Sequence, residues 1–237
     1  MPLFKHTIHL SLISILIATI SFAQSQERLK SNLATNEISG EAQFVTHFVE
    51  RGLSMSDKGP AMNASFLYNL GSQLRLGFWG SNVSNLSATD DNFWFKFLAE
   101  FNVDFTNNLS TEFYVSDNHF YKSDQHNGQR IGSLFNYYTY YCTLEWMSNL
   151  EGSKSSAEYL NVGKLFNYGN KIKYGGDIGV TNSHSANIKN FFDARLLARY
   201  FLNNTTSFEV AATYNSYTSY FGSRADPAYY VGVKLIY

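Results

Sequence analysis

The chain has one cysteine, Cys142, three prolines, and charged side chains at only 16% of its 237 residues. One thiol excludes a secreted domain held by disulfides, and Cys142, set among apolar neighbours, reads as a small buried or lipid-facing hydrophobe. Few prolines leave long uninterrupted elements possible. The charge content is well below the ~25% of ordinary soluble domains. A net charge of −1 and a pI near 6.6 give no electrostatic footing for nucleic acid. Beyond the N-terminus no apolar run approaches the ~20 residues that a membrane-crossing helix needs, so a helical membrane protein is excluded. The six histidines show no metal-ligand spacing, and no glycine-rich phosphate loop or cofactor motif occurs. Neither a metal nor a cofactor is expected.

What is abundant is aromatic: 20 Phe and 17 Tyr. Residues 1–23 have the build of a secretory signal peptide. Lys5 and His6 precede an apolar stretch from Leu10 to Ile20, and Ser21-Phe22-Ala23 offers a small-x-small cleavage site. Residues 24–39 are polar and aperiodic, a flexible periplasmic lead-in. From 40 to 237 the pattern becomes short period-two segments separated by Asn, Gly, Ser and Asp, the signature of strands.

In these segments the charged side chains fall on the parity opposite the apolar row. Leu74, Leu76 and Phe78 oppose Arg75; Phe93, Phe95, Phe97 and Phe101 oppose Lys96 and Glu100; Phe113 and Val115 oppose Glu112. Tyr140, Leu144 and Trp146 oppose Glu145, and Ile172, Tyr174, Ile178 and Val180 oppose Lys171, Lys173 and Asp177. Phe192, Leu196 and Tyr200 oppose Asp193, Arg195 and Arg199, while Phe208 and Val210 oppose Glu209. The last segment alternates Tyr229, Val231, Val233, Leu235 and Tyr237 against Lys234 and ends on an aromatic, as a strand read by the outer-membrane barrel-assembly machinery does. The apolar row suits outer-membrane lipid and the sparsely charged row suits a crowded wet lumen. Closure into a barrel satisfies every backbone group, as hydrocarbon requires. The predicted fold is all-β: a transmembrane antiparallel up-and-down β-barrel of about twelve strands, with 128–136 as the twelfth and ten the alternative. Short turns near 71, 107, 169 and 203 and longer connections at 51–59, 82–91, 119–128, 181–189 and 215–226 put both termini in the periplasm.

Phe48-Val49-Glu50-Arg51-Gly52-Leu53-Ser54-Met55-Ser56-Asp57, followed by Gly59-Pro60-Ala61 and Gly77-Phe78-Trp79-Gly80-Ser81-Asn82-Val83, resembles the opening of the TorF-type family of outer-membrane porins. The departure is Val49-Glu50, where many members bring an aromatic directly before the Arg-Gly pair. The resemblance implies an outer-membrane, porin-type barrel and supplies no catalytic residue.

Two readings of the loop motif Arg51, Gly52, Ser54, Ser56 and Asp57 stand side by side. One is a structural turn in which Asp57 holds Arg51 or turn amides; the other is a constriction or ligand loop. The expected lumen residues are Arg75, Lys96, Lys171, Lys173, Arg195, Arg199 and Lys234 against Glu100, Glu112, Glu145, Asp177, Asp193 and Glu209, a balance that sets no ion preference. They either select small polar solutes or pair and fill the barrel. Ser183-His184-Ser185 and His47 are the sole hints of a Ser/His arrangement, and the expectation is a non-enzyme.

Overall fold

A computed structural model describes residues 38–84 and 90–237. Residues 1–23, expected to be a signal peptide, and most of the expected 24–39 lead-in lie outside the described residues, as do positions 85–89 of one long connection. The strands are β1 (Ile38–Val45), β2 (Val49–Glu50), β3 (Leu53–Ser54), β4 (Ala61–Leu70), β5 (Leu74–Asn82), β6 (Phe93–Thr106) and β7 (Leu109–Phe120). They continue as β8 (Gly128–Tyr137), β9 (Tyr140–Met147), β10 (Ala157–Tyr168), β11 (Ile172–Ser183), β12 (Phe191–Phe201), β13 (Thr206–Asn215) and β14 (Ala228–Ile236). A short helix α1 (Thr218–Phe221) runs into a 3-10 turn at Gly222–Ala225.

Twelve strands, β1 and β4 to β14, form a closed barrel in which each pairs antiparallel with its sequence neighbours and β1 closes against β14. The 128–136 stretch is a strand, β8, and the count is twelve rather than ten. β1 starts at Ile38, slightly ahead of the position at which alternation becomes visible in the sequence. One end of the barrel carries tight turns, such as Asn107-Asn108 and Tyr138-Thr139; the other carries long connections. Among the latter, 148–156 went unpredicted. It turns through Glu151, Gly152 and Lys154, all at positive φ.

The period-two rows face as their chemistry demands. Leu196 (69% exposed), Ile178 (61%) and Val162 form an outward aliphatic belt, with Tyr168 and Tyr200 towards the turn end and Phe192, Tyr214 and Tyr229 towards the loop end. Aromatic girdles flanking an aliphatic band are what a bilayer selects at the outer wall of a barrel. Cys142 sits in this outward row yet is buried between its cross-strand neighbours Phe135 and Val162. Its thiol is a packing group.

The inner wall uses a recurring device. The Tyr114 ring lies on Gly132 of the next strand and its hydroxyl donates to Glu145 one strand further, at 2.6 Å. Tyr141 lies on Gly163 and donates to Asp177 at 2.5 Å; Tyr159 lies on Gly179 and donates to Asp193 at 3.2 Å. A glycine with no Cβ lets a ring lie flat on the neighbouring backbone, so a bulky tyrosine lies along the curved wall rather than projecting across the lumen. At the seam Tyr237 repeats the arrangement on the outer face, covering Gly40 and donating to the Ser65 carbonyl at 3.1 Å.

Candidate functional site: an infolded hairpin and the lumen beneath it

The segment between β1 and β4 turns into the barrel. β2 and β3 pair as a two-residue hairpin whose tip residues, Arg51 and Gly52, have φ of 49° and 69°. Positive φ at both central positions is the pattern of the primed turns that match strand twist. For arginine that conformation costs roughly 1–2 kcal/mol, and the wall behind holds it. Asn215 Nδ2 donates to the Arg51 carbonyl at 2.9 Å, and a Cβ on Gly52 would stand 2.5 Å from the Tyr214 carbonyl oxygen. Only glycine lets the tip press against β13 this closely.

From that tip Arg51 reaches β9 and β10. Its guanidinium is ion-paired with Glu145, donates towards Met147 Sδ at 3.2 Å, and lies 4.8 Å from the centre of the Tyr159 ring. The adjoining Glu50 accepts both terminal nitrogens of Arg130 on β8, at 2.7 and 3.3 Å. Glu145 is the hub, taking Arg51, Tyr114 and, at 3.8 Å, Arg130. The hairpin thus spans the lumen and is clasped by charge on the far wall. Paired, hydrogen-bonded charges are the form in which buried ions persist.

The serines of the motif bind the loop to itself. Ser54 Oγ accepts from Lys58 N at 3.1 Å and bonds His47 Nε2 at 2.7 Å; Ser56 Oγ accepts from Phe48 N and donates to the Gly59 carbonyl. Asp57 has a different place from the one expected: it is exposed, with φ of 48°, and Arg51 goes to Glu145 because the tip points inward while residue 57 points out.

Above the hairpin the barrel is sealed by apolar packing. Leu53 packs with Met147, Leu150, Ala157, Ile188, Phe191 and Phe221, and Met55 with Val83 and Trp94, flanked by Phe48, Trp79 and Phe120. Arg224 ties the seal to the loop, donating to the Ser54 carbonyl at 3.1 Å and to Glu151 at 2.8 Å. Below the hairpin lies a cavity of about 780 Å³, running from Phe48–Gly52 to the Thr106–Leu109 turn. Asn63, Ser65, Asn102, Thr111, Asn136 and Asn161 are among its many neutral polar walls.

The expected lumen charges distribute unevenly. Lys96, Glu100, Glu112, Asp177, Asp193 and Arg195 line the cavity. Arg75 stands behind them, clamped by Glu100 and Glu112. Asp177 takes both Nε and Nη2 of Arg195, at 3.0 and 2.8 Å, together with Tyr141 and Asn161. Arg199 pairs with Glu209, which also accepts from Tyr230, and Lys234 pairs with Glu41. Lys96 lies over the rings of Trp79 and Trp94, at 4.4 and 5.1 Å. Two lysines depart from the expectation. Lys171 precedes β11 in a turn and is exposed, because the strand begins one residue later; Lys173 faces inward near the turn end, 5.8 Å from the Phe201 ring, and does not border the cavity. The residues of the C-terminal row, from Tyr229 to Leu235, lie along β14, with Tyr237 just beyond it.

Glu50, Arg130 and the ring–glycine–carboxylate sets were not foreseen as site residues. Arg130 lies in the weakly alternating β8, where Leu134 shares its inward row and blurs the parity. His184 is exposed and pairs with Glu158 at 2.7 Å, whereas Ser183 Oγ accepts the backbone N–H of Ser185, a local turn.

Two histidines belong to the seal. Burial, followed by nearby Lys58, lowers the His47 pKa against the opposing pull of Asp57; burial lowers that of His126, opposed mainly by Glu151. Neither ring nitrogen of His126 has a hydrogen-bond partner. A histidine whose folded pKa is depressed contributes stability that is complete above its unfolded value near 6.5 and is lost as pH falls below it. We therefore expect the loop-end seal to loosen between pH 7 and pH 5. Limited proteolysis of the 46–60 loop should accelerate over that window in the native protein, and less so in His47→Gln; an unchanged cleavage rate from pH 7 to 5 would refute the linkage.

Against known proteins, a family-level profile matches residues 31–214, spanning β1 to β13 and including the whole hairpin. The chain belongs to the Gcw_chp family, bacterial proteins of unknown function. No curated protein matches it. Among solved structures this Gcw_chp chain is similar to the KdgM porin, with TM-score 0.55 and 10% identity over 83% of this chain and 98% of that one. It is also similar to the NanC porin, with TM-score 0.56 and 6% identity over 84% and 99%. The KdgM porin in complex with disordered oligogalacturonate aligns with TM-score 0.55 and 12% identity over 83% and 98%. At these identities the likeness is one of fold, an outer-membrane porin-type barrel.

Proposed function

We propose that this protein is a porin-like channel of the bacterial outer membrane, exported by its signal peptide, that passes small polar or ionic solutes by passive diffusion. The observation that carries this reading is the cavity of about 780 Å³ with its polar and charged walls. A barrel needing only to be filled would close that space with side chains, as narrow barrels do. The TorF-type resemblance over roughly 42–83 and the fold shared with KdgM and NanC point the same way. Lipid is the partner of the outer belt, and the Tyr229–Tyr237 row is the natural handle for the assembly machinery.

A second reading, a closed barrel with a structural or loop-binding role, draws on the apolar seal around Leu53. The two differ in one measurement. Purified protein reconstituted in planar bilayers should give stepwise conductance, small because the hairpin narrows the path. Complete silence from protein that still migrates anomalously when unboiled would leave the closed barrel standing and end the channel reading.

A further inference from the structure

The surroundings of Arg51 are more acidic than one guanidinium needs. Its charge is met by Glu145, whose other oxygen takes the Tyr114 hydroxyl, and its flat face is covered by the Tyr159 ring. Tyr159 in turn donates to Asp193, a residue 3% exposed that lines the same cavity. Asp193 Oδ2 is buried and has no hydrogen-bond partner. Gly179 lets that oxygen and the Tyr159 hydroxyl sit close against the wall, since a Cβ there would lie 2.6 Å from the one and 2.3 Å from the other. Carboxylate, aromatic face and a second, unsatisfied carboxylate are the parts of a receptor for a flat or compact organic cation.

The cavity as a whole has the same bias. Its walls carry eight carboxylate side chains against four basic ones, and Arg51 is one of those four. Arg51 is also the only one of the four delivered by a loop rather than by a barrel strand. It enters from the hairpin tip, held by a turn that a different loop position could release, whereas Lys96, Arg130 and Arg195 are fixed on β6, β8 and β12.

We propose that Glu145, Tyr159 and Asp193 form an organic-cation subsite, that Arg51 occupies it as a tethered stand-in, and that solutes bearing a guanidinium or primary amine are the class this lumen accepts. Such a solute, arriving through the cavity, competes with Arg51 for Glu145 and Tyr159 and finds the spare Asp193 oxygen as well. Displacement loosens the hairpin tip while Leu53, Met55 and Glu50 still hold the segment, so that binding and a local widening beside Arg51 are one event. The inference rests on the porin-like reading for entry and passage of the solute; the subsite itself does not.

Agmatine, which carries a guanidinium and a primary amine, is the probe. Isothermal titration of the folded protein in detergent should detect agmatine and give no signal with 1,4-butanediol or glutamate. A tethered competitor lowers apparent affinity by the fraction of time it vacates the site, so Arg51→Gln should bind agmatine about tenfold more tightly. Asp193→Asn should weaken binding while the Arg51–Glu145 pair persists, and this variant leaves the barrel's ion pairs intact. Parallel bilayer recordings separate the two ideas. Agmatine binding without conductance in any variant upholds the subsite and overturns the channel. Conductance with equal affinity in native protein and Arg51→Gln, with no agmatine binding, or with glutamate preferred, overturns the subsite and leaves the channel.

Discussion

Replacing residues 47–57 by a short Gly-Ser link should raise single-channel conductance several-fold and abolish rapid closures. The magnitudes decide why deletion is needed and a point change falls short. Arg51→Ala breaks a buried ion pair and leaves Glu145 with Tyr114 and a more distant Arg130, a loss on the order of 3–5 kcal/mol by analogy with other severed buried pairs. Yet Leu53 and Met55 remain packed in the two apolar clusters. Each buried side chain of that size is worth about 1.5–3 kcal/mol, and Glu50 still grips Arg130. The hairpin therefore stays inside in Arg51→Ala with a loosened tip, which planar-bilayer records should register as flicker between two levels. Removing the whole segment also takes Phe48, Leu53 and Met55 out of the two clusters, and the open level should then be continuous. Deletion protein that folds, shown by heat-modifiable migration, and conducts as the native protein does would refute the placement of the constriction.

The second large effect belongs to the ring–glycine–carboxylate sets. In Gly163→Val the new Cβ would come 2.4 Å from Tyr141 Cζ and 2.7 Å from Asp177 Cβ, distances at which something must move. The ring lifts off the wall, Asp177 loses the Tyr141 hydroxyl, and the Asp177–Arg195 pair is pushed aside. Overpacking alone costs about 1–3 kcal/mol, and a lost hydrogen bond to a buried charged group adds about 1.5–3 kcal/mol. Urea unfolding in lipid vesicles should show the sum. Tyr141→Phe should show only the hydrogen-bond share, reduced because Arg195 and Asn161 still serve Asp177. Joining Gly163→Val to Tyr141→Ala should recover part of the loss, a non-additivity that a double-mutant cycle reads directly. Strict additivity would mean that the ring and the glycine do not work as a unit.

How much of this was legible in the sequence follows from which partner each residue answers to. The outward rows were legible because lipid is a uniform solvent: Val162, Ile178 and Leu196 need only be apolar at alternate positions, whatever strand lies beside them. The inner wall answers to particular neighbours. Tyr141, Gly163 and Asp177 meet only through the register of three strands, so the sequence shows them as unrelated residues. Inward Leu67, Leu134 and Leu197 break the simple rule of apolar outside and polar inside, and Leu134 hid the parity of β8. The inward fold of 46–60 had one signal, Leu53 and Met55 alternating with Ser54 and Ser56, which is too short to distinguish a plug from a surface turn. Lys171 was misplaced by a single residue of strand boundary, the least determinate feature of any pattern.

The closure at Gly40 and Tyr237 gives the barrel a temporal order. Eleven of its twelve strand pairings join consecutive barrel strands and can zip as hairpins; the twelfth, β1 to β14, joins the two ends of the described chain. It is also short, with five register pairs from Glu41 to Val45, against twelve between β10 and β11. Contacts so distant in sequence form late, because the loop entropy must be lost before the contact repays it. The same seam that is sewn last has the fewest stitches. It is where the wall should first part under tension, and one aromatic ring over one glycine acts as the knot.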